Sequence, residues 1–485
     1  NENLLELTPN LLWKNFRDIT LIPHPSKHEE KLTKFLLEFG KQHADQSFMD
    51  QAGNVVWKKK ATAGMENRKG IVLQAHCDMV PQADSGKQHD FLTDPIVTII
   101  KDGFVMADGT TLGGDDGMGV AAIMAIFEDD TLQHGPIEGL ITIDEETGLT
   151  GAVNLPNNIL DGSILLNLDS EEHGIFYIGC AGGVNVNISK KLEPYALTSS
   201  SFSYYRLEAK GFLGGHSGCD IHKNRPNPTK LLFRLINSIR GQYEMHLGDM
   251  AGGNMHNAIP REAFVEVAVL KGFEKDFLAS VEDFQQTVKS EYGLSDPEGR
   301  IEVALCDVFP LYSVQSLRDV NYIVNTLLSG VFAMSADMPG LVETSNNLSV
   351  LKIEDHVMKI QCLLRSSVQS QSDYLKQIIS TQMDMVSADV EFEGEYPGWK
   401  PNPNSQILEV AKRVYKEDFG QEPLVTAIHA GLECGMIIDK YPGMDAISLG
   451  PNMYGVHTPT EKVEIESCVQ FMQLLKDIII NAPEK

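Results

Sequence analysis

Short apolar runs alternate with helical patterns in the first third of the chain. Segments 71–75, 140–143 and 164–168 are rich in strand-forming residues, and each has the length of a buried strand. Segment 118–127 follows a helical pattern. Strands that alternate with helices in this way predict an α/β domain with a mostly parallel sheet.

The middle of the chain follows a different pattern. Segments 203–210, 263–269 and 359–364 show partial period-two alternation, which indicates strands with one buried face. Leu232, Leu235, Ile236 and Ile239 follow the i, i+3, i+4, i+7 spacing of an amphipathic helix. This mixture predicts an α+β domain that is inserted into the α/β domain.

A segment dense in glycine, proline and asparagine at 394–404 predicts a linker. Beyond it, residues 407–414 repeat at helical spacing and 446–449 are strand-like, so the tail is also α/β. The predicted organisation is an α/β domain in two parts around one insertion, with the boundaries 1–183, 184–396 and 397–485.

Composition and charge narrow the class of protein. The 485 residues carry a formal charge of −27, which argues against a broad nucleic-acid or anionic-membrane surface. The longest apolar candidate, 119–127, is too short for a membrane span, and the first ten residues lack the pattern of a signal peptide. The seven cysteines are scattered without a C-x-x-C spacing. We therefore expect a cytoplasmic protein with reduced thiols.

Acids and histidines follow the predicted strands, at the edge where open α/β sheets build their sites. Strand alternation puts His76 and Asp78 on one face and Cys77 on the other. Asp115 and Asp116 lie in a glycine-rich segment just before the predicted helix. The other acids that directly follow a predicted strand are Glu145, Glu146 and Asp169.

Imidazole and carboxylate donors suit zinc, manganese or cobalt better than they suit a thiolate site. Two dications about 3.5–4 Å apart, bridged by a carboxylate and a water, form a hydrolytic site. Asp78 is placed to accept the free ring N–H of His76 and to fix its tautomer. The adjacent acids Asp115 and Asp116 both remain candidates for the bridging carboxylate.

Several motifs of the chain occur together in one known family. They are HCDMV at 76–80, GGDD at 113–116, DEETG at 144–148, LDSEE at 168–172, GGHSG at 214–218 and GVHTP at 455–459. With these motifs the chain resembles the co-catalytic zinc exopeptidases, which include carnosinases, aminoacylases and bacterial dipeptidases. NAIPRE at 257–262, HAGLECG at 429–435 and YPGW at 396–399 narrow the resemblance to the bacterial aminoacyl-histidine (Xaa-His) dipeptidases.

The resemblance implies a role for each candidate near the predicted metals. His76 and His457 would each bind one of two divalent ions, most simply zinc, and Asp115 would bridge both. Glu145 would be the general base and Asp78 the carboxylate behind His76. The remaining implied ligands, one for each ion, are Glu146 and Asp169. Many family members have Lys after the bridging Asp whereas this chain has Asp116, so the choice of Asp115 depends on register.

The resemblance also implies that the inserted domain is a lid that forms a homodimer. His216 would help to bind the scissile carbonyl or the developing oxyanion, in its own or in the partner's site. Asn257 and Arg365 would hold the substrate, with Arg365 the better candidate for a bidentate grip on a terminal carboxylate. His429 and Glu433 lie in a glycine-rich loop to which the sequence assigns no role.

The function implied is hydrolysis of Xaa-His dipeptides such as carnosine by a metal-bridging hydroxide. A broad di- or tripeptidase and a deacylase of N-acyl amino acids would use the same metal chemistry. A nucleotide-binding enzyme is a remote alternative, since 117–122 fits G-x-G-x-x-A but no apolar strand is predicted directly before it. A binding module without catalysis would not need Glu145.

Overall fold

The computed structural model describes residues 1–196 and 200–485, and it divides into two compact units. The first unit comprises Asn1–Cys180, Trp399–Ala427 and Leu432–Lys485. The second unit comprises Ala181–Gly398 and Ile428–Gly431. The short segment Ile428–Gly431 therefore joins the second unit, although the sequence pattern put the whole tail in the first domain.

The first unit is built on an eight-stranded sheet within the described residues. In spatial order its strands are Gln46–Met49, Val55–Lys59, Ile137–Thr142, Ile71–His76, Ile164–Asn167, Asp445–Ser448, Ile175–Cys180 and Leu424–Ile428. The predicted α/β class with a parallel core to its sheet is confirmed, and antiparallel strands are added at the sides. The four central strands, from 137–142 to 445–448, run parallel to one another, and the strand 175–180 is antiparallel to the last of them. The first two strands are antiparallel because a tight turn joins them directly, whereas parallel neighbours need a long crossover.

Three of these central strands, 71–76, 137–142 and 164–167, are buried over their whole length, as expected for parallel strands that are covered on both faces. Gly139 lies where a Cβ atom would be 3.1–3.4 Å from Ile123, Trp57 and Phe127, so glycine lets these large side chains pack against the strand. Ile123 and Phe127 belong to the predicted helix, which spans Gly114–Glu128 and is buried almost throughout.

The remaining elements of the first unit surround this sheet. Its other α-helices are Asn10–Thr20, Glu30–His43, Glu145–Gly148, Thr150–Val153, Gln406–Phe419, Glu433–Lys440 and Ile465–Ile480, and Glu2–Glu6 is a 3-10 helix. A small sheet contains Met453–Tyr454, Lys462–Glu464, Phe104–Ala107 and Thr98–Lys101. Among the helices of the described residues, none has the length and apolar character that crossing a bilayer requires.

The second unit is built on a nine-stranded sheet within the described part of the chain. The strands along its path are Arg300–Leu305, Phe202–Lys210, Ala263–Leu270, Met245–Gly252, Val342–Glu354, Val357–Ser366, Gly182–Lys191 and Asp389–Tyr396, and Gly330–Met334 pairs with Val342–Glu354. The neighbouring strands along this path are antiparallel. The strands predicted at 203–210, 263–269 and 359–364 are confirmed. The predicted linker at 394–404 begins inside the last strand, because the cross-strand pairs continue to Tyr396.

Helices and short strand pairs complete the second unit. Its helices are Pro228–Ile239, Glu274–Tyr292, Val314–Thr326 and Gln369–Asp384, and Ile221–Lys223 is a 3-10 helix. The short pairs are Pro194–Tyr195 with Leu311–Tyr312, and Gly215–His216 with Ala258–Ile259. The amphipathic helix predicted from Leu232 to Ile239 is confirmed, and its apolar face is buried in the core of this unit.

Candidate metal centre

The carboxyl ends of the central strands bring the candidate ligands together. His76 is the last residue of its strand, and Asp169 follows two residues after the strand Ile164–Asn167. Glu145 and Glu146 begin a short helix just after the strand Ile137–Thr142. Because these strands are parallel neighbours, the side chains that follow them meet at one edge of the sheet.

Asp115 lies between the two candidate histidines. Its Oδ1 atom is 3.0 Å from Nε2 of His76, and its Oδ2 atom is 3.0 Å from Nε2 of His457. Glu146 Oε1 lies 2.8 Å from the same atom of His457, and Asp169 Oδ1 lies 3.4 Å from Nε2 of His76. The five side chains thus form two groups that share one carboxylate.

The donor set fits two divalent cations. Nδ1 of His76 lies 3.3 Å from Asp78 Oδ1 and 3.2 Å from the Asp78 carbonyl oxygen, which favours a proton on Nδ1 and a lone pair on Nε2. In the neutral ring this lone pair faces the oxygens of Asp115 and Asp169. These carboxylates raise the pKa of the ring well above its usual value although burial opposes the shift, so Nε2 attracts a proton or a metal cation. Ligands 2.0–2.1 Å from a tetrahedral zinc are about 3.3 Å apart, close to the separations here.

His457 also lies against two carboxylates, which favour a positive charge on its ring or beside it. A hydrogen bond to Asp115 and the close carboxylate of Glu146 raise the pKa of its ring to about 11. Glu146 Oε1 is buried and makes no hydrogen bond of good geometry, although it is in contact with His457. A cation at this point would satisfy both side chains.

Asp116 points its oxygens at backbone groups. Its carboxylate accepts the N–H groups of His76, at 3.2 Å, and of Gly119, at 3.1 Å. It also lies within 4.8 Å of ligand atoms of His76 and Asp169, and burial raises its pKa well above the usual value. Asp115 alone of this pair contacts both histidines, which supports it as the bridging carboxylate.

Asp78 connects His76 to the turn that carries Glu145. Its two oxygens accept the backbone N–H groups of Glu145, at 2.9 Å, and Glu146, at 3.2 Å, and the hydroxyl of Ser26, at 2.7 Å. Burial alone would raise the pKa of Asp78, but its bonds to His76 and to these donors lower it to about 2. Asp78 is therefore an ionised carboxylate that holds the ring and the turn together.

Glu145 has the environment of a residue that exchanges a proton. Burial raises the pKa of its carboxyl well above the usual range; the charge of His76 opposes this shift, while those of Asp169 and Glu433 add to it. One of its oxygens lies within 4.8 Å of ligand atoms of His76 and Glu146. The side chain can therefore accept a proton beside the candidate ligands and release it again.

The sequence did not indicate the role of Glu461. Its buried carboxylate accepts four backbone N–H groups, those of Leu112, Gly113, Gly114 and Asp115, at 2.7–3.2 Å. These bonds fix the loop that presents Asp115. In the sequence, the one feature that could have drawn attention to Glu461 is its position four residues after His457.

The same loop excludes the nucleotide-binding alternative. Within the fingerprint the N–H of Gly119 is bonded to the buried carboxylate of Asp116, and the amides just before the fingerprint are bonded to Glu461. Carboxylates thus occupy these donors and would repel a phosphate. The glycines of the fingerprint have packing explanations, since a Cβ atom at Gly119 would lie 2.3 Å from Asp116 and one at Gly117 would lie 3.1 Å from Phe16. A strand, Phe104–Ala107, does precede the loop, but it belongs to the small antiparallel sheet.

The substrate-binding candidates lie in the second unit. His216 Nδ1 accepts the N–H groups of Gly218, at 3.1 Å, and Cys219, at 2.9 Å, which leaves Nε2 as the protonated donor. Burial and the nearby charge of Arg365 lower the pKa of His216. The ring is therefore neutral at pH 7 and presents an N–H group. The backbone carbonyl of Asn257 accepts the N–H of Ser217 at 3.0 Å.

Arg365 is a buried cation, with 4% of its surface exposed. Its guanidinium donates to Ser217 Oγ at 3.3 Å and to Tyr396 Oη at 3.2 Å, and no carboxylate of the described residues forms an ion pair with it. His429 lies nearby with Nε2 2.7 Å from Ser345 Oγ, and burial together with Arg365 lowers its pKa to about 3. This cluster is short of negative charge, so it suits an anionic group.

Residues 72–481 match the peptidase family M20/M25/M40. The chain belongs to this family. The cytosol non-specific dipeptidase of Escherichia coli (strain K12) is 39% identical over 485 residues, which cover 99% of each chain. The crystal structure of the aminoacylhistidine dipeptidase from Vibrio alginolyticus has a TM-score of 0.93 at 39% identity, covering 99% of this chain and 98% of that one.

A more distant structure shares the fold alone. Aminopeptidase PepT from Bacillus cereus has a TM-score of 0.62 at 17% identity, over 98% of this chain and 99% of that one. The predicted peptidase, a hydrolase of peptide bonds, is confirmed by membership of the M20 family. The prediction of a metal-dependent dipeptidase agrees with the full-length relatives, which are dipeptidases.

In this M20 peptidase we expect Glu461→Gln to weaken Mn²⁺ binding by about 10- to 100-fold, the range typical of residues that orient metal ligands. A neutral amide holds the loop of Asp115 less strongly, and its NH2 group would face backbone N–H donors. Calorimetric titration of the metal-free protein with Mn²⁺ measures the change. The control is Glu484→Gln, an exposed acid of the same chain segment. Equal Mn²⁺ affinity in wild type and Glu461→Gln would contradict the assigned role.

Proposed function

We propose that the chain is a dinuclear metallo-dipeptidase that hydrolyses Xaa-His dipeptides such as carnosine. The observation that carries the proposal is Asp115, whose two oxygens face His76 and His457 at equal distances of 3.0 Å. The names of the two full-length relatives support a dipeptidase, since one is called a non-specific dipeptidase and the other an aminoacylhistidine dipeptidase. The free cysteines and the cytosolic relative support a cytoplasmic location.

The proposed ligands divide into two sets with Asp115 in common. His76 and Asp169 complete one set, and His457 and Glu146 complete the other. When bound, two divalent ions, proposed to be zinc with manganese or cobalt as alternatives, polarise the scissile carbonyl and activate a water at neutral pH. Asp78 keeps the His76 ring oriented toward its ion through the proton on Nδ1.

Glu145 is proposed as the general base and acid. Its carboxylate takes a proton from the attacking water and gives it to the leaving amine, so the cleaved bond ends as a carboxylate and an amine. A raised carboxyl pKa suits both steps, because the group holds the proton between them. The hydrogen bond from its backbone N–H to Asp78 fixes the turn from which it acts.

The second unit is proposed to bind the substrate, to act as a lid and to form a homodimer. His216 offers a neutral N–H for the carbonyl oxygen or the developing oxyanion, in its own or the partner's site. Arg365, buried without a carboxylate partner among the described residues, is proposed to hold the terminal carboxylate of the peptide. Asn257 is proposed to assist in binding the peptide backbone.

Removal of the metal should abolish hydrolysis. After dialysis against a chelator, we expect loss of activity on β-Ala-His and recovery on addition of Zn²⁺, Mn²⁺ or Co²⁺, because the ions supply the activated water. The rate is measured by the release of free histidine. Mg²⁺ added at the same concentration serves as the control ion. Turnover that survives complete metal removal would refute the proposed mechanism.

Glu145→Ala should separate catalysis from metal binding. We expect kcat to fall by about 10²- to 10⁴-fold while metal content stays near that of the wild type, since Glu145 moves a proton and is not a proposed ligand. Elemental analysis and steady-state kinetics provide the two measurements. Glu172→Ala, which removes an exposed acid of a neighbouring loop, is the matched control. A near-normal kcat would remove Glu145 as the base.

Relative rates on three substrates decide the substrate class. We expect β-Ala-His to have a higher kcat/KM than Gly-Gly, and N-acetyl-amino acids to be hydrolysed more slowly than either. The measurement is steady-state kinetics at one fixed metal concentration. Equal rates on both dipeptides would indicate a broad dipeptidase, and a preference for the N-acetyl substrate would indicate a deacylase.

A further inference from the structure

A ladder of buried polar side chains crosses the central strands of the first unit. Ser448 Oγ donates to Asn167 Oδ1 at 2.5 Å, and Asn167 Nδ2 donates to Gln74 Oε1 at 2.6 Å. Gln74 Nε2 then donates to Glu433 Oε2 at 2.6 Å, and the hydroxyl of Thr142 donates to the same oxygen at 2.7 Å. All five side chains are essentially inaccessible to solvent.

The ladder lies one layer below the candidate ligands. Gln74 precedes His76 by two residues in one strand, so these two side chains share a face of the sheet. Asn167 is the last residue of the neighbouring strand, two residues before Asp169. Thr142 ends the strand that leads to Glu145. The strand ends that present the metal centre are therefore tied together by side chains as well as by the backbone pairs.

Glu433 is the acceptor at which the ladder ends. Each hydroxyl or amide along it donates in the direction of Glu433, whose Oε2 receives two donors. Its other oxygen, Oε1, is buried and makes no hydrogen bond. A buried carboxylate with one unpaired oxygen costs free energy, and an apolar side chain of similar size would pack at lower cost. This cost requires a compensating role for the acid.

We propose that Glu433 is a positioning residue of the metal centre, which holds the strand ends carrying His76, Asp169 and Glu145 in register through the ladder. The inference rests on the proposed function, since it assigns Glu433 a task in that same site. Glu433 is also the first residue of the helix Glu433–Lys440. Its carboxylate therefore connects this helix to the central strands through Gln74 and Thr142.

Two substitutions of Glu433 test the proposal. We expect Glu433→Ala to lower Mn²⁺ affinity at least tenfold and kcat on β-Ala-His at least tenfold, with KM changed less than threefold. Glu433→Gln keeps an oxygen that accepts from Gln74 and Thr142, so we expect it to retain most of both. Calorimetry on the metal-free protein gives the affinity, and thermal unfolding of the same samples gives the stability. Asn167→Leu, which breaks the ladder at another rung, should also weaken Mn²⁺ binding.

The controls distinguish three roles for Glu433: positioning of the metal centre, stabilisation of its own helix, and an effect of its negative charge. Glu466→Ala removes an exposed acid from the first turn of another helix, Ile465–Ile480, and should leave affinity and kcat unchanged. Lower thermal stability with unchanged Mn²⁺ affinity in Glu433→Ala would overturn the proposal. Equal losses in Glu433→Ala and Glu433→Gln would also overturn it, since they would assign the effect to charge alone. If Glu433→Ala does not fold, Glu433→Gln and Asn167→Leu still decide between these outcomes.

The affinity measurement needs no substrate. A wild-type protein that binds Mn²⁺ but cleaves no peptide would refute the proposed function while the ladder could still be tested.

Discussion

The concentration of buried acid at one edge of the first unit's sheet is the constraint on which the site depends. Asp78, Asp115, Asp116 and Glu461 are all nearly inaccessible to solvent. Two like charges 4 Å apart repel by about 4 kcal/mol at an effective dielectric constant of 20. The fold must therefore supply donors or cations to each of these groups, or the groups must hold protons.

The acids divide according to what their oxygens contact. Asp78, Asp116 and Glu461 accept backbone N–H groups, and in doing so they fix the turns and loops around the site. Asp115 and Glu146 instead direct oxygens toward histidine nitrogens. Backbone amides thus hold Asp78, Asp116 and Glu461 in place, whereas Asp115 and Glu146 receive no backbone amide of the described residues and keep oxygens that suit a metal.

The local pattern of apolar residues predicted the strands that carry most residues of the candidate metal centre. Apolar runs ending at His76 and Asn167 are visible in the sequence because buried strands are short and apolar, and the side chains that follow them share one edge. The antiparallel first strands were not predicted, because direction depends on how strands pair. The role of Glu461 and the membership of Ile428–Gly431 in the second unit depend on contacts between distant parts of the chain. The spacing of apolar and polar residues does not indicate such contacts. For the same reason the sequence did not indicate the ladder that ends at Glu433.

The order of the chain has a consequence for biosynthesis. Asp115 is made early, whereas His457 and the acid that holds its loop, Glu461, come only after the inserted unit has been translated. During synthesis Asp115 therefore exists before its contact with His457 can form, and the amides of residues 112–115 lack their acceptor. A nascent chain cannot form these contacts until residues 457–461 have been translated. Closure of the loop that presents Asp115 is thereby coupled to translation of residues 457–461.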